Sequence, residues 1–273
     1  MTQVPTGSYS HPRCYAAELG GCSNTISGEH AVSQALLKVF AVDEIVEITG
    51  LRWMDGDEHR HLPTSVVKAN ILCTAHNAAL SGLDTLAGEF AGRLNEAKHE
   101  METLRKRRVL PARLFDGHSL ERWCIKVVCG LAASGMADMH PAIDSKTWRP
   151  PIEWLRFLFH ADPLPPEWGL YFIGQPGDPE ASENFSFGLI SDDTIGPHGL
   201  SLILVGKRFV MALARAKNPG ESLITDAAFR PAAITVRNGI NETAILFGWD
   251  MSSTGTTIVI VHPNPRHGPS TLV

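Results

Sequence analysis

The chain has 273 residues and a formal net charge of −5, with 44% hydrophobic and 19% charged residues. This composition excludes an intrinsically disordered chain and allows one large domain or two ordinary ones, with enough apolar residues for a sizeable core. The apolar stretches are too short to span a bilayer, the start lacks a secretory signal pattern, and five cysteines favour reduced thiols or metal binding over disulfides. We therefore expect a protein that works in the cytoplasm and has no membrane partner.

The first third of the chain predicts short elements followed by one long helix. In chain order the patterns predict a loose arm over residues 1–13, a knuckle and strand up to residue 27, a helix over residues 29–39, a strand over residues 45–53, a charged loop over residues 54–63, an apolar segment over residues 66–72 and a helix over residues 77–107. Gly20 and Gly21 predict a tight turn within the knuckle, because glycine tolerates positive φ.

The remaining two thirds change from helical to strand-like patterns. Helices are predicted over residues 119–134 and 152–160, and strands over residues 169–173, 185–190, 200–205, 208–213, 232–236, 244–248 and 256–261. We therefore predict an α+β fold with three segments: an N-terminal metal-binding module with a long helix over residues 1–110, a helical connector over residues 111–148, and a mostly antiparallel, β-rich accessory domain over residues 149–273.

The long helix carries apolar residues that repeat every seven positions, which indicates a packing seam. The two repeats are Leu80, Ala87, Leu94, Met101 and Leu83, Phe90, Ala97, Leu104. Packing against the helix over residues 119–134 is the favoured interpretation, because the short connection between the two helices favours an antiparallel hairpin. The alternative is a homodimer, the commonest oligomer, formed through this seam or through the β-rich domain.

Cysteine and histidine side chains form two clusters with the spacing of a zinc site. The candidate ligands are Cys14, Cys22, Cys73 and His76. Zinc takes thiolate and imidazole ligands in a tetrahedral arrangement, and a Cys-x-x-His pair that enters a helix places both ligands on one side of its first turn. The alternative is a set of buried thiols and a core histidine. Cys124 and Cys129 lie within an apolar helix and are interpreted as core thiols.

The order of these residues resembles HNH-type nucleases, whose ββα-metal module would cover residues 10–110. The matching positions are Cys22, Glu29, His30, Leu72, Cys73, His76 and Asn77. The resemblance implies that His30 is the general base and that Glu29 and Asn77 hold a catalytic Mg²⁺ or Mn²⁺ ion, beside a structural zinc. A histidine of near-neutral pKa and hard oxygen ligands suit the hydrolysis of a phosphodiester.

The sequence departs from the HNH pattern at three places. Seven residues separate Cys14 from Cys22 where the family has two, the second ligand pair ends in His76 rather than cysteine, and Ser33 stands where a proline is usual. Asp84 lies two helical turns, about 10 Å, beyond Asn77. Asp84 is therefore too far from Asn77 to share an ion without a bend, and we expect it to be either a structural group or one that supports a metal ligand without binding the ion itself.

The net negative charge argues against a nucleic-acid enzyme, since phosphate binding usually requires clustered cations. One dense basic run is present, Arg105, Lys106, Arg107 and Arg108. It is interpreted either as a solvated helix end or as a contact to nucleic acid. The HNH resemblance nevertheless implies an endonuclease, and DNA is the favoured target. The alternatives are an RNA-acting nuclease and a non-catalytic zinc-binding scaffold protein.

Overall fold

The computed structural model describes residues 7–54, 58–108, 110–141, 143–173, 185–192, 196–214, 227–238, 240–250 and 258–261. The chain has the predicted α+β fold. The helices are α1 (Gln34–Phe40), α2 (Thr74–Thr103), α3 (Gly117–Ser134) and α4 (Ile152–His160). The strands are β1 (Ile26–His30), β2 (Ile45–Ile48), β3 (Arg60–Pro63), β4 (Lys68–Cys73), β5 (Arg113–Asp116), β6 (Gly169–Ile173), β7 (Phe185–Asp192), β8 (Gly196–Leu204), β9 (Lys207–Ala212), β10 (Ala227–Phe229), β11 (Ala233–Arg237), β12 (Glu242–Gly248) and β13 (Ile258–Val261).

The strands form two small and two larger sheets. β1 pairs with β4, and β2 pairs with β3, both antiparallel. A five-stranded antiparallel sheet has the order β10-β6-β9-β8-β7, and a four-stranded sheet has the order β13-β11-β12-β5. In the latter, β13 and β5 each pair in parallel with their neighbours, while β11 and β12 are antiparallel. The C-terminal half is therefore mostly antiparallel, as predicted, with two parallel pairings that the sequence pattern did not indicate.

Several elements differ from the sequence prediction, among them the strand predicted over residues 45–53, which ends at Ile48. The helix predicted over residues 29–39 begins only at Gln34, because Glu29 and His30 belong to β1 and pair with β4. Helix α2 ends at Thr103, four residues early, where the Asn238 amide donates hydrogen bonds to the carbonyls of Met101 (2.9 Å) and Leu104 (3.3 Å). Strand β3 lies in the predicted charged loop and was not predicted, and neither were β5 and β10. The latter two are short, and each exists through a partner that is remote in sequence.

The heptad seam of α2 is buried within the chain. Leu80, Ala87, Leu94 and Met101, together with Leu83, Phe90 and Ala97, are all buried. The helix packs against α1, α3 and strands of the four-stranded sheet. Gly88 allows α1 to approach closely, since a Cβ there would lie 2.8 Å from the Cβ of Ala35. The intramolecular packing of α2 is therefore confirmed, and a homodimer stays a prediction.

A buried ion pair joins α3 to the C-terminal sheets. Arg230 donates from Nε to Oε1 of Glu121 (2.8 Å) and from Nη2 to Oε2 (3.0 Å), and the backbone N–H of Leu170 donates to the same Oε1 (3.0 Å). His118 lies beside this pair, with Nδ1 3.3 Å from Oε2 of Glu121. Its Nε2 lies 3.1 Å from the backbone nitrogen and 3.4 Å from Oδ2 of Asp250. These contacts anchor β6 and the β10–β11 connection on α3.

One hydrophobic core cluster extends from Cys14 to Phe247 and includes side chains of all three predicted segments. The connector contributes β5, and Phe115 within it packs on Phe90 of α2 with ring centroids 5.4 Å apart. The division of the chain at residues 110 and 148 stays a prediction. Within the described ranges, no helix combines the length and apolarity needed to cross a bilayer.

Candidate metal centre

The candidate site is built on β1, β4 and the start of α2. Strands β1 and β4 are antiparallel, with Ile26 opposite Cys73 at one end and His30 opposite Lys68 at the other. Helix α2 begins at Thr74, directly after β4. The Cys73 sulfur lies 3.5 Å from the backbone N–H of His76 and accepts its hydrogen bond, which caps the helix. The Cys-x-x-His pair therefore lies at a strand-to-helix corner, as the sequence predicted.

Three cysteines and one histidine meet at this corner. The ligand atoms of Cys14, Cys22, Cys73 and His76 all lie within 4.8 Å of one another. Nδ1 of His76 is 3.5 Å from the sulfur of Cys14, 3.7 Å from that of Cys22 and 3.2 Å from that of Cys73. The structure thus brings together the four side chains predicted as ligands, and this Cys3His cluster could hold a metal ion such as zinc.

The distances match the dimensions of a tetrahedral zinc site. With bonds of about 2.3 Å to sulfur and about 2.05 Å to nitrogen, a sulfur and a nitrogen ligand lie about 3.5 Å apart. The three observed distances of 3.2 to 3.7 Å bracket that value. The donor set of three thiols and one imidazole is also one that zinc favours over Mg²⁺ or Ca²⁺. Both the distances between the ligand atoms and the ligand types therefore suit a zinc ion.

Burial and hydrogen bonding set the protonation of the ligands. Burial raises the pKa of Cys14 to about 12 and also raises the pKa of Cys22. Burial by itself would raise the pKa of Cys73. Hydrogen bonds, led by those from the backbone of His76 and Ser23, have the larger combined effect and lower this pKa. Burial lowers the pKa of His76, which favours the neutral imidazole that a metal requires.

The cluster ties the N-terminal arm to the β4–α2 corner. Gly20 and Gly21, with φ of 73° and 66°, form the predicted turn that leads the arm back to Cys22. The backbone N–H of Tyr15, next to Cys14, donates to the carbonyl of Ile71 in β4 (2.9 Å). Cys14, Tyr15 and Ala16 are also buried in the core cluster, so a shared metal ion would add to packing and hydrogen bonding as a link between arm and corner.

The surroundings of His76 are apolar. Phe159 of α4 packs edge-on against the imidazole ring, with centroids 5.0 Å apart. Nε2 of His76 is buried and has no hydrogen-bond partner in the part of the chain that the structure describes. Zinc-binding histidines usually donate from this second nitrogen. The His76 orientation is therefore set by packing and by the three thiols.

Glu29, predicted as a ligand of a catalytic ion, is bound by a lysine instead. Its Oε1 lies 2.5 Å from Nζ of Lys126, and the two side chains are 3% and 1% exposed. The same Nζ lies 2.5 Å from Oδ1 of Asp84. Ser33 also donates to this Asp84 oxygen and accepts from Nε1 of Trp123 (2.6 Å). Asp84 thus has the structural role predicted for it.

His30, predicted as the general base, is half-buried at the end of β1. Burial, and then the positive charges of Lys68 and Lys126, lower the pKa of His30, so that the imidazole is neutral near pH 7. Its Nε2 is buried without a hydrogen-bond partner among the described residues. A neutral imidazole is the form that accepts a proton, although this nitrogen is shielded from solvent in the structure.

Asn77 lies apart from the side chains of Asp84 and Lys126. Asn77 is half-buried in the first turn of α2, seven residues and about 10 Å of helix rise before Asp84. The described structure gives no separate support for a Mg²⁺ or Mn²⁺ site at Glu29 and Asn77, since the cation at Glu29 is the ammonium of Lys126. The catalytic assignments of Glu29, His30 and Asn77 stay predictions.

The basic run follows α2 and is exposed. Its residues are Arg105, Lys106, Arg107 and Arg108. Asn241 binds its backbone, because its Oδ1 accepts from the N–H of Arg108 (2.7 Å) and its Nδ2 donates to the carbonyl of Lys106 (3.1 Å). No carboxylate among the described residues forms an ion pair with these four side chains. The structure thus holds the backbone of the run and leaves its cations at the surface.

Lys126 is the site residue that the sequence reasoning missed. It stands in the apolar run Cys124-Ile125-Lys126-Val127-Val128, where a charged residue on the buried side of a helix needs a partner. That isolated charge was the available signal. Cys124 and Cys129 are buried thiols on the same helix, as predicted, and burial raises the pKa of both.

Comparisons with known proteins identify no relative of this chain. No protein-family model matches the chain, and neither the curated proteins nor the solved structures contain a match. The metal-binding cluster is therefore the part of the HNH resemblance that has structural support.

Proposed function

We propose that the chain is a metal-dependent endonuclease of HNH type that hydrolyses phosphodiester bonds of nucleic acid, with DNA as the favoured target. The arrangement of β1, β4 and α2 supports this proposal most directly. Two antiparallel strands lead into a helix, the Cys3His cluster lies at the corner, and the Glu29-His30 pair ends the first strand. This is the ββα order that the sequence resemblance implies.

The proposed chemistry assigns one task to each group. His30 takes the proton from the attacking water, and the exposed cations of Arg105 to Arg108 bind phosphates of the substrate. A Mg²⁺ or Mn²⁺ ion, held by Glu29 and Asn77, would neutralise charge on the phosphate and on the leaving oxygen. The Cys3His cluster has a structural task, because it holds the arm against the strand-to-helix corner that carries these residues. The proposal includes a cytoplasmic location.

A second candidate function is favoured by one observation. The carboxylate of Glu29 is buried and paired with Lys126, so a divalent ion would have to compete with a resident ammonium. In this alternative the chain is a non-catalytic zinc-binding scaffold protein, and His30 packs at the end of β1. A nuclease that acts on RNA remains the third candidate, with the same site residues.

A cleavage assay with matched histidine variants tests the proposal. Untagged, zinc-loaded protein is incubated with supercoiled plasmid and, separately, with single-stranded RNA, in Mg²⁺ or Mn²⁺. We expect nicking by the wild type and a loss of at least about 100-fold in His30→Ala, the size of a general-base contribution. His61→Ala, at an exposed histidine of β3, is the control and should cleave like the wild type.

Each result of this assay favours one candidate. Cleavage of RNA alone, lost in His30→Ala, would identify the RNA-acting nuclease. Failure of folded, zinc-containing wild type to cleave either substrate would favour the scaffold protein. Equal cleavage by His30→Ala and the wild type would contradict the role of His30.

A further inference from the structure

The side chain of Lys126 ends in a shell of oxygen atoms inside the protein. Its Nζ lies 2.5 Å from Oε1 of Glu29, 2.5 Å from Oδ1 of Asp84 and 3.5 Å from the carbonyl oxygen of His30. These oxygens come from β1 and α2, whereas Lys126 is on α3. The lysine is 1% exposed, so the whole ammonium group is removed from water.

Such a shell has the composition of a site for a hard divalent cation. Carboxylate and carbonyl oxygens are the ligands that Mg²⁺, Mn²⁺ and Ca²⁺ take in proteins. The two carboxylate oxygens are each 2.5 Å from Nζ and therefore lie at most twice that far, 5.0 Å, from each other. Without a cation between them, the buried carboxylate of Glu29 and the partly exposed carboxylate of Asp84 would repel each other at this separation.

We propose that Lys126 is the resident cation of the Glu29–Asp84 carboxylate pair and occupies the place that a divalent ion would otherwise take. It is a positioning residue, because it contacts the Glu29 side chain and lies near the His30 carbonyl, and so holds the end of β1 against α2. This role competes with the Mg²⁺ or Mn²⁺ ion proposed at Glu29, since in a nuclease that ion would have to bind Glu29 beside the ammonium or displace it. The effect of Lys126 on the position of His30 as a base rests on the proposed function.

The ammonium of Lys126 balances one of the two negative charges of the pair, and the remaining charge lies at Asp84, whose side chain is 24% exposed to solvent. Ser33 donates to Asp84 and accepts from Trp123, and both side chains are neutral, so they add no charge. Lys68, the other cation near His30, is exposed on β4 and does not enter the shell. It therefore offers a matched control, a lysine close to the same histidine whose removal leaves the carboxylate pair intact.

Removal of Lys126 should open the pair to a divalent ion. Mn²⁺ binding to the zinc-loaded full chain is measured by the loss of the free-ion EPR signal, for the wild type, Lys126→Ala and Lys68→Ala. We expect Lys126→Ala to bind Mn²⁺ at least about tenfold more tightly than the other two, a change of about 1.4 kcal/mol. Adding Asp84→Asn to Lys126→Ala should abolish the gain. A folded Lys126→Ala that binds Mn²⁺ no better than Lys68→Ala would overturn the proposal.

A second comparison keeps Lys126 in place and does not depend on the folding of Lys126→Ala. If the ammonium already occupies the pair, Asp84→Asn alone should leave the Mn²⁺ affinity of the chain within about twofold of the wild type. A tenfold or larger loss would show that the pair binds divalent ions in the presence of Lys126, contrary to the proposal. The Mn²⁺ measurements involve no cleavage, so a chain that fails to nick plasmid would contradict the nuclease function and leave this result unchanged.

Discussion

The ammonium nitrogen of Lys126 lies 2.5 Å from Oε1 of Glu29, and both side chains are almost completely buried. This contact joins the middle of α3 to the end of β1, next to His30. It also gives the acidic residue of the Glu-His pair a partner from the chain itself. The end of β1 is therefore held by a buried ion pair, independently of the Cys3His cluster at the opposite end of the strand.

Replacing Lys126 by methionine should destabilise the fold strongly. The methionine keeps much of the side-chain volume but leaves the buried carboxylate of Glu29 and the partly exposed one of Asp84 without a cation. Breaking a buried pair such as Glu29–Lys126 costs about 3 to 5 kcal/mol. Lys68→Met, at an exposed position of β4, should change the unfolding free energy by less than about 0.5 kcal/mol. Urea unfolding followed by tryptophan fluorescence measures both. Equal stability of the two variants would refute a structural role for the ammonium.

Loss of one cysteine of the metal cluster should remove the metal and the folded N-terminal part together. Structural zinc contributes about 10 kcal/mol or more to folding, which is comparable to the whole stability of a domain. We therefore expect Cys73→Ala to contain less than half a zinc per chain by elemental analysis and to lose the cooperative unfolding of the N-terminal part.

The control for this experiment is Cys124→Ala, which removes a buried thiol of α3 outside the cluster. It should keep one zinc per chain and lose about 1 kcal/mol. Less than half a zinc in the untagged wild type would instead favour the interpretation as buried thiols and a core histidine.

The stability of the chain should fall with rising pH through the titration of His118. A hydrogen bond to Glu121 raises the pKa of His118 above its ordinary value of 6.5, against the opposing effect of burial. The positive charge of Arg230, which faces the same carboxylate, lowers the pKa of His118, while the negative charge of Asp250 raises it. Because the folded pKa is raised, the stabilisation is complete below pH 6.5 and is lost as the pH rises through the folded pKa.

The measurement is the unfolding free energy of the wild type and of His118→Gln over that pH range. The difference between the two should shrink as the pH rises from about 5.5 to about 8.5. A difference that stays constant, or one that grows, would show that the protonated form of His118 is not the stabilising one.

Introducing a charge into the α2 seam should unfold the chain and not merely change its oligomeric state. Leu94 is 2% exposed and packs inside the chain, so Leu94→Glu buries an unpaired carboxylate at a cost of about 4 kcal/mol or more. Leu114→Glu, at a 67% exposed leucine of β5, should cost less than about 0.5 kcal/mol. Circular dichroism and light scattering report fold and mass. A well-folded Leu94→Glu of half the wild-type mass would show instead that the seam is a dimer contact.

The basic run should contribute to any binding of nucleic acid by neutralising phosphates. Arg105→Gln combined with Arg107→Gln removes two exposed cations that the structure leaves without a described acidic partner. The slope of log K against log salt for duplex DNA should become shallower by about 0.9 for each phosphate that the variant no longer neutralises. Fluorescence anisotropy measures the slope. The control is Lys146→Gln combined with Arg149→Gln, which removes the same charge elsewhere and should leave the slope unchanged. Identical slopes for the two double variants would contradict a role of the run in phosphate binding.

Local patterns determined most of the elements of this fold. The apolar spacing of α2 and the helical pattern of α4 predicted both helices within a few residues, because side chains that repeat at helical spacing form a continuous buried face. The Cys-x-x-His pair at residues 73–76 likewise predicted its own geometry, since both ligands belong to one helix start. The ligand set was predictable because few residue types bind zinc.

Only the tertiary structure decided where β1 ends and which cation binds Glu29. Glu29 and His30 belong to a segment whose composition suits a helix, and their pairing with a strand some forty positions later overrides that local preference. The contact between Glu29 and Lys126 joins residues 97 positions apart on different elements, and no spacing pattern encodes it. The sequence by itself determined the types of ligand and the periodic helices. The partner of each buried charge depended on the packing of α3 against β1 and α2, because a charge removed from water takes whichever opposite charge the fold brings within contact.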